Sequence, residues 1–457
     1  IISSSLMGTI SGSGIANVVT TGQFTIPLMK KFGYSPSFAG GVESTSSMGG
    51  QIMPPVMGAV AFIMAETLEL EYYQVVKAAI IPAILYYFSA FWMVHLEASK
   101  KNLVGLDKSE LPSAWNAIKS KWYLIIPLLV LIVLLFNGYT PLYSGTIGLF
   151  LTIFLILGTS AIQGASNTFI RYIFWIFLGI LSSGFFTFGN PVIVIILSIL
   201  LVWNFFKIGG RNTLLQCRDA LAEGAKTALP VGIACSVVGV IIGTLTLTGA
   251  ASTVGQVIIE VGKTNLLLSL FLTMIMCLIL GMGIPTIPNY IITSAVAGPA
   301  LFELGVPLIV SHMFVFYFGI LADLTPPVAL ACFAAAPIAK ESGFKISLQA
   351  VRVALAGFLI PYMAVYSPAL MLQGYDGQNF WPFLLSFIFI LFKAIIAILF
   401  LGSAVIGYIK QPLSIFDRLL CVLIASFLIL ALPLTDEIAA GLIILFFIIR
   451  RFKAKTR

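Results

Sequence analysis

The chain has 457 residues, of which 60% are hydrophobic and only 9% are charged, whereas a soluble domain carries about 25% charged residues. Together with a mean hydropathy of +1.07, this excludes a soluble protein and predicts a membrane protein with about a dozen spans of about 20 residues. The apolar stretches are continuous rather than alternating, which excludes a β-barrel and predicts an all-α fold. The net charge of +8 does not indicate nucleic-acid binding, because the basic residues lie between apolar stretches.

Polar stretches at 98–121, 207–226 and 340–352, and the tail from Arg450, divide the apolar sequence. The predicted spans are 36–68, 72–97, 122–137, 141–160, 169–186, 190–206, 226–250, 308–338, 350–373, 381–409, 413–433 and 436–450. Segments 1–30 and 265–299 are apolar but have centres rich in Gly, Ser or Pro. Each is predicted to form a re-entrant hairpin of two half-helices, which membranes tolerate where irregular backbone is buried in protein.

Lysine and arginine residues fall on alternate connections when these spans are threaded back and forth. One set of connections holds nearly all of them, and the other set holds only Lys263. The positive-inside rule places the basic set, with the C-terminal tail, in the cytoplasm. The same threading orients the hairpin and following span of the first part oppositely to those of the second, so the two are predicted to be inverted repeats.

Each repeat combines a glycine-containing hairpin tip with a Pro-Pro sequence in the next span. In repeat 1 these are SGSGIAN (11–17) and GGQIMPPVMG (49–58), and in repeat 2 they are GMGIPTIPNY (281–290) and ADLTPPVAL (322–330). The separation is 42 positions from Gly12 to Pro54 and 43 from Gly283 to Pro326. Two matched copies favour a shared functional design over two incidental helix kinks.

Proline removes a backbone donor and opens a helix, and the freed carbonyls could bind a cation such as Na⁺. The N-termini of half-helices would favour an anionic group, so broken helices meeting at the midplane predict a transport site. Asp323 is an intramembrane carboxylate and is interpreted as a cation ligand, with structural hydrogen bonding as the alternative. Glu43 is expected to have a pairing or packing role, and Lys393 to snorkel or to face a partner helix.

Two long motifs closely resemble the large membrane subunit of TRAP (tripartite ATP-independent periplasmic) transporters, over roughly residues 3–375. They are GTISGSGIANVVTTGQFTIPLMKKFGYSPSFAGGVESTSSMGGQIMPPVMGAVAFIMAE and GMGIPTIPNYIITSAVAGPAL with SHMFVFYFGILADLTPPVALACFAAAPIA. The DLTPP sequence and the spans after residue 375 look most like fused permeases of the TAXI branch. The resemblance implies an elevator-type, Na⁺-driven importer that receives an organic acid from a periplasmic binding protein.

The resemblance also implies the site residues and the partners. The Na⁺ ligands would come from Ser11, Gly12, Ser13, Gln51, Met53, Pro54, Gly281, Gly283, Thr286, Asp323, Thr325 and Pro326. The substrate would be bound by Ser13, Asn17, Pro285, Thr286 and Asn289. The coupling ion would be the only ligand besides the organic acid, with no cofactor. A small membrane subunit would be fused upstream, and a chain beginning at Ile1 is expected to lack it.

The predicted domains are a first transport unit with the following span (1–97), a cytoplasmic linker with scaffold or arm helices (98–225), a second transport unit (226–373) and extra C-terminal helices with a basic tail (374–457). The predicted location is a bacterial or archaeal cytoplasmic membrane.

Three other functions compete with this one. A Na⁺/carboxylate symporter without a binding protein would use the same broken helices. A channel is disfavoured by two inverted half-sites. An intramembrane serine hydrolase would use Ser13, between two glycines, with His312, but it leaves repeat 2 unexplained. The sequence contains neither HExxH nor a P-loop, so a zinc protease and an ATP-driven pump are excluded.

Overall fold

The computed structural model describes residues 1–105, 113–162, 168–183, 189–375, 377–430 and 434–455. Parts of the polar stretch 98–121 and of the predicted spans 169–186 and 413–433, as well as Arg457 of the basic tail, lie outside these ranges. The described residues form the helices α1 (Ile2–Ser11), α2 (Gly14–Lys31), α3 (Pro36–Gly49), α4 (Gly58–Thr67), α5 (Tyr72–Lys100), α6 (Ala114–Lys121), α7 (Ile126–Phe136), α8 (Pro141–Ile162), α9 (Thr168–Ser183), α10 (Asn190–Phe206), α11 (Gly210–Leu247), α12 (Ala250–Thr264), α13 (Leu266–Leu280), α14 (Thr286–Glu303), α15 (Leu308–Ala322), α16 (Leu330–Ala339), α17 (Gly343–Val353), α18 (Leu355–Tyr366), α19 (Phe380–Ile406), α20 (Ile415–Ile429) and α21 (Thr435–Lys455).

The fold is that of an all-α polytopic membrane protein. Within the described ranges, five segments are long and apolar enough to cross a membrane: α5, α8, α11, α17 together with α18, and α19. The described β-structure is a two-residue antiparallel pair, β1 (Tyr408–Ile409) with β2 (Gln411–Pro412), which turns the chain between α19 and α20.

The chain forms two compact bodies. The smaller body comprises residues 107–233, and its core is built from Leu157, Leu178, Ile196 and Leu200. The larger body comprises residues 1–106 and 234–457 and contains both repeats and the C-terminal helices.

Each predicted hairpin contains two helices separated by a short tip, and each predicted broken span contains two helices separated by an irregular segment. The tips lie between α1 and α2 and between α13 and α14, and the irregular segments lie between α3 and α4 and between α15 and α16. The sequence therefore locates all four interruptions to within a few residues, because proline and glycine act locally on the backbone.

Three segments that lie largely outside the predicted spans and hairpins are also helical. The polar stretch 207–226 forms the first part of α11, the segment 251–264 lies within α12, and most of 340–352 lies within α17. A polar composition excludes a membrane span but not a helix, since Leu, Ala, Glu, Lys and Arg are all strong helix formers. Helix α17 is amphipathic, with Ile346, Ala350 and Val353 buried on one face.

The C-terminal end of α19 is surrounded by basic side chains from other helices. Lys100 Nζ donates to the Ile406 carbonyl at 2.8 Å, Arg418 Nε to the Ala404 carbonyl at 2.6 Å, and Arg352 Nη2 to the Val405 carbonyl at 3.2 Å. Cations at this position satisfy the last carbonyls of a helix and complement its dipole. They tie α5, α17 and α20 to one helix end.

Helices α19, α20 and α21 share a core that includes Phe400, Cys421 and Phe446. Within this bundle the buried Lys393 faces a partner helix, as one of the two expectations had it: its Nζ lies 2.6 Å from Asp436 Oδ1 on α21. The ammonium also lies 5.4 Å from the centroid of the Phe389 ring, where a cation–π interaction adds to the ion pair.

Replacing Asp436 or Lys393 is expected to lower the stability of the protein by different amounts. The side chain of Lys393 is 6% exposed and that of Asp436 is 34% exposed. We expect Asp436→Asn to lower stability by on the order of 3 kcal/mol, because it leaves a buried ammonium without a counter-charge. Lys393→Met leaves a carboxylate that water can reach, so its effect is expected to be smaller. Thermal unfolding of the purified variants measures the order, and a larger loss for Lys393→Met would contradict it.

Candidate functional site

The tip of repeat 1 is a two-residue turn. Gly12 adopts a left-handed conformation with φ of 63°, and Ser13 caps α2 by accepting a hydrogen bond from the Ala16 amide at 3.3 Å. Ser11 Oγ lies 3.4 Å from the Ser13 carbonyl. Both hydroxyls thus contribute to the local hydrogen bonding of the tip. This is a structural role, whereas the resemblance implies that Ser11 and Ser13 are ligands.

Helix α1 lies against the break between α3 and α4 with its backbone in direct contact. A Cβ atom built on Gly8 would lie 2.8 Å from Gly50 Cα, and one built on Gly12 would lie 2.8 Å from Gly58 Cα. Gly58 also has a positive φ, of 68°. Only glycine fits at these contacts, so the four glycines let the hairpin approach the opened helix closely.

Hydroxyl groups satisfy much of the backbone that this break frees. Thr9 Oγ1 donates to the Met53 carbonyl at 2.5 Å and accepts from the Val56 and Met57 amides, each at 3.2 Å. The Tyr72 hydroxyl lies 2.9 Å from the Pro55 carbonyl and 2.6 Å from that of Val56. Neither residue is predictable from the sequence, since no local spacing connects Thr9 or Tyr72 with the Pro-Pro sequence.

The break of repeat 2 leaves a carboxylate without a partner. Asp323 is 1% exposed, and among the described residues neither of its carboxylate oxygens has a hydrogen-bond partner. Its backbone is satisfied, because the Asp323 carbonyl accepts from the Ala331 amide at 3.2 Å. The neighbouring Thr325 donates its hydroxyl to the Leu321 carbonyl at 2.7 Å. Both Pro-Pro peptide bonds, 54–55 and 326–327, are cis.

An asparagine occupies the fourth position of the second helix in each hairpin. Asn17 Nδ2 donates to the Ser4 carbonyl at 2.6 Å, and Asn289 Nδ2 donates to the Gly319 carbonyl at 2.8 Å. Both asparagines are fully buried. Asn289 Oδ1, like Asp323, has no hydrogen-bond partner within the described ranges.

The tip of repeat 2 contacts its own break. A Cβ atom on Gly281 would lie 2.5 Å from Asn289 Nδ2 and 2.8 Å from the Ala322 Cβ atom. Gly283 has a φ of 75°, and α14 begins at Thr286 with Pro285 in the N-cap position. In repeat 1, Gln51 is similarly buried, and its Oε1 also lacks a partner in the described part of the chain.

The two repeats interlock within the larger body. Helix α16 packs against α2 and α3, and α4 packs against α14. Lys30 Nζ donates to the Ala339 carbonyl at the end of α16, at 2.7 Å, and Ser44 Oγ donates to the Ala331 carbonyl at 3.2 Å. The second half of each broken helix therefore packs against the other repeat.

The sequence matches the family model described as "Tripartite ATP-independent periplasmic transporter, DctM component" over residues 1–169 and 157–378. The chain belongs to this family. Both tips and both breaks of the TRAP large permease lie within the matched residues.

Three curated relatives align with about a third of the chain and about a third of their own length. The Escherichia coli (strain K12) 2,3-diketo-L-gulonate TRAP transporter large permease protein YiaN is 21% identical over 156 residues, which are 34% of this chain and 36% of the relative. The Vibrio cholerae sialic acid TRAP transporter large permease protein SiaM is 24% identical over 168 residues, which are 36% and 39%. A putative TRAP transporter large permease protein of Haemophilus influenzae is 23% identical over 151 residues, which are 33% and 35%.

The hydrolase interpretation has no support in the geometry of this permease. His312 Nδ1 is 2.7 Å from the Tyr290 hydroxyl, a contact that joins α15 to α14. Ser13 caps its own helix. The proposed nucleophile and base thus have separate partners.

The glycine contacts generate a test with a matched control. Gly8→Ala places a methyl group 2.8 Å from Gly50 Cα, so α1 must move away from the break. Gly239 also lies in a helix, and a Cβ atom there would have no heavy atom within 4 Å among the described residues. We expect Gly8→Ala to destabilise the protein by about 1–3 kcal/mol and Gly239→Ala to be neutral or slightly stabilising. Equal thermal stability of the two variants would contradict the close packing.

Proposed function

We propose that this chain is the permease of a Na⁺-coupled importer for a small organic acid that a periplasmic binding protein delivers. The observation that carries the proposal is the buried carboxylate of Asp323, whose two oxygens have no hydrogen-bond partner in the described ranges. A buried charge without a partner is costly, and an intramembrane carboxylate marks a functional site by default. A cation bound there would remove the cost.

The chemistry of the unpartnered atoms fits Na⁺. Asp323, Asn289 and Gln51 offer carboxylate and amide oxygens, which are the hard ligands that such cations prefer. The carbonyl of Met53 is less suited to be a primary ligand, because the Thr9 hydroxyl already donates to it. We therefore rank Asp323 first among the proposed Na⁺ ligands, and the other tip and break residues of the two repeats remain further candidates.

The tips supply the features that an acidic substrate needs. Helices α2 and α14 begin at the two tips, at Gly14 and Thr286, and their N-termini carry partial positive charge. A cation at Asp323 would cancel the negative charge that otherwise repels a carboxylate. The names of two relatives, which refer to 2,3-diketo-L-gulonate and to sialic acid, agree with an acidic substrate for this chain as well.

We further propose the elevator movement, in which the two transport units (1–97 and 226–373) slide together against scaffold helices and the small membrane subunit. The interlocked repeats support movement as one piece, since α16 rests on α2 and α3. The same proposal includes the TAXI-type fusion and a cytoplasmic membrane location with a cytoplasmic C-terminus. It also includes the roles of 98–225 as a linker with scaffold or arm helices and of 374–457 as extra C-terminal helices with a basic tail. The competing function is a Na⁺/carboxylate symporter that needs no binding protein.

Uptake measurements separate the two functions. The full-length permease is reconstituted in liposomes and offered a panel of labelled organic acids, with or without an inward Na⁺ gradient and with or without the cognate binding protein. The proposal predicts uptake only when both are present. Uptake with Na⁺ alone would favour the independent symporter, and uptake that ignores Na⁺ would refute the coupling.

Three substitutions, one of them a control, test the proposed ion ligand. Asp323→Asn removes the carboxylate charge and should weaken Na⁺ binding at least tenfold, because it removes the principal charged ligand. Thr325→Val should have a smaller effect in the same direction. Asp219→Asn alters an exposed aspartate paired with Arg218 and should leave Na⁺ binding unchanged. Titration of the purified variants with NaCl measures the affinities, and wild-type affinity in Asp323→Asn would exclude this site.

A further inference from the structure

Glu43 is a second fully buried carboxylate, and it lies outside both tips and both breaks. It is 0% exposed and sits on α3, seven residues and therefore about 10 Å along the helix before Gly50. Its carboxylate accepts hydrogen bonds from four hydroxyl groups, at 2.9 Å or 3.0 Å from Ser4, 2.5 Å from Thr21, 2.6 Å from Thr25 and 3.1 Å from Ser47. These residues bring α1, α2 and α3 together around one negative charge.

This carboxylate has no basic side chain as a partner. The ion pairs of the described residues do not include Glu43. Among the described side chains, the hydroxyl of Tyr87 interacts with it electrostatically, and that hydroxyl donates to the Ser46 carbonyl. Hydrogen bonds stabilise the carboxylate locally, but no basic side chain of the described residues forms an ion pair that would compensate its charge.

Two of the four hydroxyl groups have a second acceptor within reach. Thr21 Oγ1 lies 2.8 Å from the Asn17 carbonyl, and Thr25 Oγ1 lies 3.1 Å from the Thr21 carbonyl. A hydroxyl has one proton and can donate to one acceptor at a time. If both protons turn to the backbone, the oxygen lone pairs of Thr21 and Thr25 face the carboxylate. In the first state these hydroxyls donate hydrogen bonds to the carboxylate. In the second state their oxygens can bind a cation.

We propose that Glu43, Ser4, Thr21, Thr25 and Ser47 form a cation site separate from that at Asp323. The chemistry of the site is the neutralisation of one buried carboxylate by a positive charge, which either Na⁺ or a proton can supply. With a proton, the carboxyl O–H donates to a threonine oxygen whose own proton has turned to the backbone. With Na⁺, the carboxylate and hydroxyl oxygens are the ligands. The role as a coupling ion rests on the proposed function, but binding itself does not.

The test is equilibrium binding of ²²Na⁺ to the purified full chain between pH 5.5 and 8.5. Glu43→Gln keeps the shape and hydrogen-bond acceptors of the side chain but removes its charge. The double variant Thr21→Val with Thr25→Val removes two hydroxyls. Thr20→Val is the matched control, because the Thr20 hydroxyl donates to backbone carbonyls of its own helix, those of Ala16 and Asn17.

If Na⁺ occupies the site, Glu43→Gln and the double variant each bind one ion fewer than the wild type and the control. If a proton occupies it, both variants bind the same number of ions as the wild type, and Glu43→Gln loses a pH dependence of Na⁺ affinity that the wild type and Thr20→Val show. Equal stoichiometry and an equal pH profile in all four proteins would overturn the inference. In the same assay, wild-type Na⁺ binding by Asp323→Asn would refute the ion site of the proposed function, which is the site at Asp323. It would not affect the inference about the Glu43 site.

Discussion

A helix inside a membrane can be interrupted only if the protein provides partners for the backbone groups that the interruption frees. In repeat 1 this constraint is met from outside the helix, by the hydroxyl of Thr9 on the hairpin and that of Tyr72 on α5. The hydroxyl of Thr9 can reach because glycines let α1 touch the break backbone to backbone. The hairpin therefore stabilises the broken helix, and the two form one unit.

The two breaks solve the same problem differently. In repeat 1, hydroxyl groups satisfy the backbone of the break. The carboxylate of Glu43 lies earlier on α3 and accepts hydrogen bonds from Ser and Thr side chains. Repeat 2 satisfies its backbone through the Ala331 amide and places a bare carboxylate at the opening instead. The two repeats thus have similar interruptions but unequal chemistry, and the proposed binding of a cation together with an acid would use this difference.

The positions of the hairpins and breaks were predictable because Gly and Pro change the backbone within a few residues of themselves. The Pro-Pro sequences and the glycine tips indicated all four interruptions and singled out Asp323. The partners were not predictable in the same way. Thr9 and Met53 are 44 positions apart, and Lys393 and Asp436 meet only after three helices pack. Helices α12 and α17 were missed because an amphipathic helix and a polar connection have similar mean hydropathy.

Cation binding by the unpartnered carboxylate of Asp323 is the proposal on which the coupling mechanism depends. Cryo-electron microscopy of the full-length permease in NaCl and in choline chloride tests it most directly. If Asp323 binds Na⁺, a density peak in contact with the Asp323 carboxylate and Asn289 Oδ1 is expected in NaCl, and none in choline chloride. The contrary result is a pair of maps in which protein groups hydrogen-bond the Asp323 carboxylate in both salts, with no peak in either. It would show that Asp323 is not a cation ligand.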